Sequence, residues 1–508
     1  MKKTREKHKI SLFSAVLLCC TCMVGSGWLF SSQLVAQKAG NYAFLSWIVA
    51  AIIIVGIGLC ISNVVTDHPH RGATTRMSAI SHNATFGMPF AFANWFSVAV
   101  VIATEAQATT QYLAPFLGKG VMQNGALTLT GKSIGIGLLC LYLLINWYGL
   151  KLLSRINNTI TVLKIFTPVF VIAILLASHV DISNFTQMSR YTYSPTTILT
   201  AIVSSGMIYA FNGFQVVASF ASEIKNPKRN IPLTILISVG IVLAFYLLLQ
   251  FAFMAAIPKD MLSQGWAGVN MASPIVGLTM VLGLNFLTLL LLSDSIIAPS
   301  AVGYTYLGTS SRMLYAMSKE KQAPSFLSRY INPNRGFSVP SMMLNFAIAV
   351  AFLLQAESWA GLMVIVTMLH LIGFMAAPVS MSALKPKTKP FGLIIFVIIT
   401  ILMMTVPTHD ILLSNLVITA LSVSYMLING RQHVKESLLF GGPTLIFFWL
   451  IYFSHSMIIA AILAILFFLF VTNSRYVDTC KQFKNNQEAK NTQINKDKIN
   501  NPKHVTHA

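Results

Sequence analysis

The chain has 508 residues, 55% of them apolar and only 10% charged, with a mean hydropathy of +0.70. A soluble domain carries roughly 25% charged residues, so this composition argues against a soluble enzyme, a secreted disulfide module or a nucleic-acid binder. The net charge of +21 does not restore the nucleic-acid reading. Its basic residues sit in short polar segments between apolar runs, where membrane topology accounts for them.

In chain order, fourteen apolar runs cover roughly residues 11–37, 42–65, 86–113, 133–150, 156–178, 196–221, 232–257, 275–307, 340–356, 359–383, 391–407, 411–429, 438–453 and 456–473. About 20 apolar residues in a helix cross a ~30 Å hydrocarbon layer, so the expected fold class is an all-α integral membrane protein. Residues 1–10 form a basic N-terminal segment. The run that follows is too long for a secretory leader and lacks a small-residue cleavage pattern, so it is read as an uncleaved first span. With the N-terminus inside, the inside segments hold 29 Lys and Arg and the outside segments four. That bias predicts a multi-pass protein of the cytoplasmic membrane with both termini in the cytoplasm. Residues 474–508 are polar and rich in Asn and Lys, and read as a disordered tail. Five of the six cysteines lie in apolar runs and one in the tail, without metal-ligand spacing.

Two runs carry turn-forming clusters in their middles: Gly25-Ser26-Gly27 in the first and Phe211-Asn212-Gly213-Phe214 in the sixth. Irregular backbone at membrane depth is tolerated where it lines a cavity. Two breaks five spans apart fit a pair of inverted repeats, spans 1–5 and 6–10. Broken helices offer free N–H groups to an anion and free carbonyls to a cation, which suits a zwitterion. The same glycines would also serve close helix packing.

Five stretches carry a resemblance. They are Val24-Gly-Ser-Gly-Trp-Leu-Phe30, His68-Pro-His-Arg-Gly-Ala73, Ala210-Phe-Asn-Gly-Phe214, Ser222-Glu-Ile-Lys-Asn-Pro-Lys-Arg-Asn-Ile-Pro232 and Ser311-Arg-Met-Leu-Tyr-Ala-Met317. Over about residues 10–385 the chain resembles the amino acid–polyamine–organocation (APC) superfamily of permeases. Gly27-Trp-Leu-Phe30, Ala39-Gly40, Glu105 and Gln111-Tyr112 look most like the bacterial aspartate–proton symporter branch. The resemblance implies a five-plus-five inverted-repeat transporter fold with broken helices 1 and 6, over residues 11–385. Residues 386–473 would add spans 11–14.

The resemblance also implies roles. Ser26 and Gly27 would bind the substrate α-carboxylate, and carbonyls near Met23, Tyr209, Ala210 and Asn212 the α-ammonium. Gly213 completes the second break, Phe211 or Tyr209 would form an aromatic lid, and Tyr306 would line the site. Lys164 matches the family lysine whose amine takes the place of a sodium ion, which implies coupling to protons or exchange. Where the family often has an acidic residue after the second break, this chain has Gln215, and the doubled glycine after span 2 is Gly72-Ala73 here.

An ionisable group inside a span costs a few kcal/mol, so each is a candidate for function. Glu105 in span 3 could carry the coupled proton, contact substrate or satisfy a helix contact. Asp294, flanked by Ser293 and Ser295, could titrate or pair with Lys164. Lys164 itself could instead tie helices together or reach the cytoplasmic face. Glu223 and Arg229 at the end of span 6 suit an ion pair or gate, and His370 a helix contact. Trp47, Trp147, Trp266 and Trp359 fall at span ends and read as interfacial belts. No phosphate-binding loop, GxSxG, HExxH or CxxC pattern is present, so no cofactor and no enzyme activity are expected. The functional expectation is a secondary active amino acid transporter whose partners are an amino acid, protons and the bilayer. Proton-coupled uptake comes first, with aspartate or glutamate implied by the resemblance. Exchange of an amino acid for its decarboxylation product is the alternative, and a non-transporting sensor the remote one. Neither the amino acid nor the oligomeric state is written in the sequence.

Overall fold

The computed structural model describes residues 9–68, 73–118, 120–123, 125–148, 164, 166–186, 193–194, 196–319, 322–329, 338–428, 438–483 and 485. The N-terminal residues 1–8, residues 69–72 of the motif after span 2, the first half of span 5 and the tail beyond residue 485 lie outside them.

The first two runs give α1 (Leu12–Met23), α2 (Gly27–Ala39) and α3 (Ala43–Asp67). Ser11 caps α1, its hydroxyl accepting from the Ser14 N–H at 3.2 Å. Next come α4 (Ala73–Ser81), α5 (Ala84–Leu117), a two-stranded hairpin over Met122–Gln123 and Ala126–Leu127, and α6 (Leu129–Tyr148). Asn83 caps α5 through the Phe86 N–H at 2.8 Å. The fifth run contributes α7 (Phe166–Ser178). The sixth is in pieces: α8 (Thr196–Ser204), α9 (Met207–Ala210) and α10 (Val216–Ser219).

After these come α11 (Pro227–Ala256), α12 (Pro274–Val281), α13 (Asn285–Lys319), α14 (Val339–Gln355), α15 (Trp359–Phe374) and α16 (Ala376–Leu384). Last are α17 (Lys389–Met403), α18 (Thr408–Ile428), α19 (Gly442–Ser454), α20 (Met457–Val471) and α21 (Ser474–Phe483). Among the described residues seven helical stretches are long and apolar enough to cross a membrane, or eight with α20 and α21 taken as one bent span. The breaks leave half-helices in the first and sixth runs too short to qualify alone, and Phe166–Ser178, Val339–Gln355 and Gly442–Ser454 are also too short.

α5 is the central column. Its apolar window is wholly buried, and α13, α15, α4, α14 and α6 all pack on it. Small residues allow the close approach: a Cβ at Gly373 of α15 would stand 3.0 Å from Asn94 Cβ. α3 lies along α11, and α11 along α1. α17 and α20 pack together and reach the core through α3, α15 and α16.

Two expectations are corrected here. The chain does not become irregular at residue 474: α21 continues for ten residues, bent 55° from α20. It holds because Val477 and Cys480 are buried, Tyr476 packs on Phe86, Phe440 and Phe470, and Phe483 on Phe440. His82 fastens the turn before it, with Nε2–H donating to the Val471 carbonyl at 2.8 Å and Nδ1 accepting from the Ser81 hydroxyl at 2.8 Å. Nor do the tryptophans form a simple belt. Trp47, Trp266 and Trp359 are buried, and Trp47 stacks on Tyr246 with centroids 4.4 Å apart and donates to Gln250. Trp147 alone of the four is exposed.

Candidate functional site

The helix of the first run stops at Met23 and restarts at Gly27. Three residues of non-helical backbone lie between. The sixth run is interrupted twice, at residues 205–206, where Gly206 has φ +79°, and across residues 211–215. The two breaks touch. Gly213 has φ +129°, and a Cβ there would meet the Cys22 carbonyl carbon at 2.7 Å and Met23 N at 2.8 Å. Only glycine fits that crossing. A Cβ at Gly27 would meet Ala210 Cα at 3.2 Å.

Between the breaks lies a small cavity lined by Cys22, Met23, Gly25, Gly27, Val101, Glu105, Tyr209, Asn212, Val302 and Tyr306. Of the sequence-derived substrate residues, Met23, Gly27, Tyr209, Asn212 and Tyr306 face it. Ser26, Ala210, Phe211 and Gly213 do not. Phe211 packs edge-on against Trp47 and Tyr246 instead, so the aromatic ring over the cavity is that of Tyr209.

Glu105 reaches the cavity from the middle of α5 and is 1% exposed. Its Oε2 accepts from the Ser26 N–H at 3.2 Å, and its Oε1 from the Tyr209 hydroxyl at 2.6 Å. Glu105 therefore occupies the free N–H at the start of α2, the position the sequence reading gave to a substrate carboxylate. The Ser26 hydroxyl is turned away from the cavity and accepts from Trp359 Nε1 at 2.9 Å. Phe30 stacks on Trp359 with centroids 4.4 Å apart. Tyr112 packs edge-on against Phe30 and donates to the Leu29 carbonyl at 2.8 Å.

The second break satisfies itself. Gln215 Oε1 accepts from the Gly213 N–H at 3.0 Å, and Gln215 Nε2 donates to Asn212 Oδ1 at 2.5 Å. The Tyr246 hydroxyl of α11 bridges the two, 3.4 Å from the Met23 carbonyl and 3.3 Å from that of Ala210. Tyr246, Trp359, Val101 and Val302 escaped the sequence reading, since an aromatic or β-branched residue in an apolar run carries no signal of its own.

The other charged candidates disperse. Lys164 is buried and donates to the Thr21 carbonyl at 3.1 Å, near the C-terminal end of α1, where the helix dipole favours a cation. Asp294 is 2% exposed and neither carboxylate oxygen has a hydrogen-bond partner. No ion pair joins it to Lys164, so the pairing considered from the sequence is not formed here. His370 bonds the Val366 carbonyl one turn back, as a helix contact does. Glu223 and Arg229 form no ion pair with each other; Glu223 uses its backbone carbonyl to accept from the Ile10 N–H at 2.8 Å.

A cavity between two touching helix breaks is a transporter's geometry, and the comparisons agree. Residues 10–472 match the amino acid permease family. The chain belongs to that family. The permease is 33% identical to the glutamate/serine transporter AimA of Bacillus subtilis (strain 168), over 75% of this chain and 72% of the relative. It is 29% identical to the aspartate-proton symporter of the same organism, over 76% and 75%. At 21% it is also similar to the mouse Asc-type amino acid transporter 1, over 70% and 66%. These relatives are transporters, and the permease is a multi-pass membrane protein that transports amino acids.

Proposed function

We propose that this permease is a proton-coupled amino acid transporter of the cytoplasmic membrane, with Glu105 as its proton carrier. The supporting observation is the double use of one site: Glu105 holds the Ser26 N–H that an α-carboxylate would need. An ionised carboxylate only accepts hydrogen bonds, and both Glu105 oxygens already do so. A protonated Glu105 turns one oxygen into a donor, so its bonds to Ser26 and Tyr209 must rearrange. When it releases Ser26, the start of α2 is free for the substrate carboxylate, and proton and substrate bind together.

In this reading Ser26 and Gly27 take the α-carboxylate, and the carbonyls of Met23, Tyr209, Ala210 and Asn212 share the α-ammonium with Tyr246. Tyr209 covers the site and Tyr306 lines it. Lys164 supports the end of α1, Asp294 is a second buried carboxyl available to a proton, and Glu223 and Arg229 belong to the gate beside Ile10. The scaffold is the five-plus-five inverted repeat with spans 11–14 added. α5 and α13 are the equivalent third and eighth spans, and both termini are in the cytoplasm.

The lining favours a small, uncharged side chain. Among the described residues its only charged one is Glu105, and Val101, Val302, Met23 and Cys22 supply apolar surface. Serine, one substrate in the first relative's name, suits this lining better than aspartate or glutamate, whose second carboxylate would find no cation there.

Uptake of labelled serine, alanine, aspartate and glutamate into proteoliposomes, with and without an imposed pH gradient, tests the reading. Accumulation driven by an acidic outside supports it. Flux only in vesicles preloaded with a counter-substrate would replace symport by exchange, and absence of any flux would refute transport of these amino acids.

A further inference from the structure

Trp359 is not among the residues that line the cavity, yet contacts through Ser26 and Tyr209 tie it to Glu105. Its indole is 1% exposed, stacked on Phe30 with planes 12° apart, and edge-on to Tyr209 at 5.6 Å. From its Nε1 a chain of polar contacts runs to the Ser26 hydroxyl at 2.9 Å, on to the Tyr209 hydroxyl at 3.5 Å, and to Glu105 Oε1 at 2.6 Å. An indole N–H can only donate and a carboxylate only accept, so the chain has one direction: Trp359 to Ser26 to Tyr209 to Glu105. Bonds aligned this way polarise one another in a low-dielectric interior.

Protonation of Glu105 disturbs that order. Either the Ser26 N–H loses its acceptor, or Tyr209 turns round and donates back to Ser26. In both cases Ser26, which holds Trp359, changes its bonding. Trp359 is also the first residue of α15, directly after the Ser358 cap.

We propose that Trp359 is a positioning residue of the gate: through Ser26 and Tyr209 it holds the cavity shut while Glu105 is ionised, and it is released when Glu105 takes up a proton. This rests on Glu105 being the proton carrier. Among the described residues the other ionisable groups around Glu105 are Cys22, Lys164, Tyr209, Tyr306, Tyr142 and Tyr246. Of these only Tyr209 is a link in the chain, so the signal that reaches Trp359 is the state of Glu105.

The test uses the full chain in proteoliposomes and labelled L-serine and L-glutamate, with initial uptake measured from pH 5 to 8. Trp359→Phe keeps the ring on Phe30 and removes the N–H. The donor chain that favours the carboxylate weakens, so the midpoint of the uptake profile rises by about 0.3–0.5 pH unit. KM changes by less than about threefold, since the cavity lining is intact, while efflux into substrate-free buffer speeds up several-fold. Ser26→Ala deletes the acceptor, gives the same shift, and adds nothing to it in the double variant. A wild-type midpoint and efflux rate in Trp359→Phe would overturn the proposal. So would an equal fall in uptake at every pH, the mark of a purely structural tryptophan. Wild-type uptake that ignores pH would remove the Glu105 reading itself, before any variant is compared. If Trp359→Phe fails to fold, Ser26→Ala alone carries the decision by the same shift.

Discussion

The two helix breaks solve the same problem with opposite chemistry. At the first, the Ser26 N–H is satisfied from another helix by an ionisable group, Glu105. At the second, the Gly213 N–H is satisfied within the break by a neutral amide, Gln215, which in turn donates to Asn212 Oδ1. A neutral amide keeps its bonds at any physiological pH, whereas a carboxylate that is protonated gains a donor and must rearrange its bonds. The first break is therefore built to change, and the second to stay in shape. Gln215 has no proton to gain or lose at physiological pH, so the second break is indifferent to it.

The harshest way to break the comparison is Gly213→Ala. A non-glycine residue at a strongly positive φ costs about 1–3 kcal/mol, and the new Cβ would also overlap the backbone of Cys22 and Met23. No side chain can move to relieve that overlap. Loss of folded, monodisperse protein is expected on size-exclusion chromatography, with no uptake from what remains. Glu105→Gln comes next. One amide end faces the Ser26 N–H or Tyr209 wrongly, and the site loses its proton. Uptake against a gradient should fall tenfold or more and its pH dependence flatten, while the protein stays folded.

A milder change sharpens the contrast. Gln215→Leu leaves the Gly213 N–H and Asn212 Oδ1 without partners, at a cost of about 1–3 kcal/mol. The thermal midpoint in detergent should drop by several degrees, yet the surviving uptake should keep the wild-type pH midpoint. A shift in that midpoint would mean the second break also reads protons.

The smallest effect belongs outside both breaks. The Ser183 hydroxyl at 2.6 Å, with Lys259 at 2.9 Å, holds the exposed Asp181 carboxyl down at about 2. A depressed carboxyl contributes stability above its ordinary range near 4 and loses it as pH falls towards 2. Lys259→Met should thus leave the uptake profile between pH 5 and 8 unchanged, and a measured change would give this loop a part in transport.

Much of this molecule was legible in one dimension. Uninterrupted apolar runs specify membrane helices, because a buried backbone in lipid must bond to itself. Glycine clusters marked both breaks, since glycine alone tolerates the backbone and the contact found at Gly213. Buried charge singled out Glu105 and Lys164 because a span tolerates an ion only for a reason. What the tertiary structure alone decided was partnership. Glu105 faces Ser26 across 79 positions of chain and Trp359 faces it across 333, and no local pattern encodes such a meeting. Trp359 and Tyr246 look like belt or core residues until a polar atom is seen pointing at a break. Phe211 and Tyr209, two residues apart, pointed to the same lid role until packing sent one ring to Trp47 and the other over the cavity. Periodicity fixes which residues lie in helices; where the side chains of different helices meet is set by three-dimensional packing.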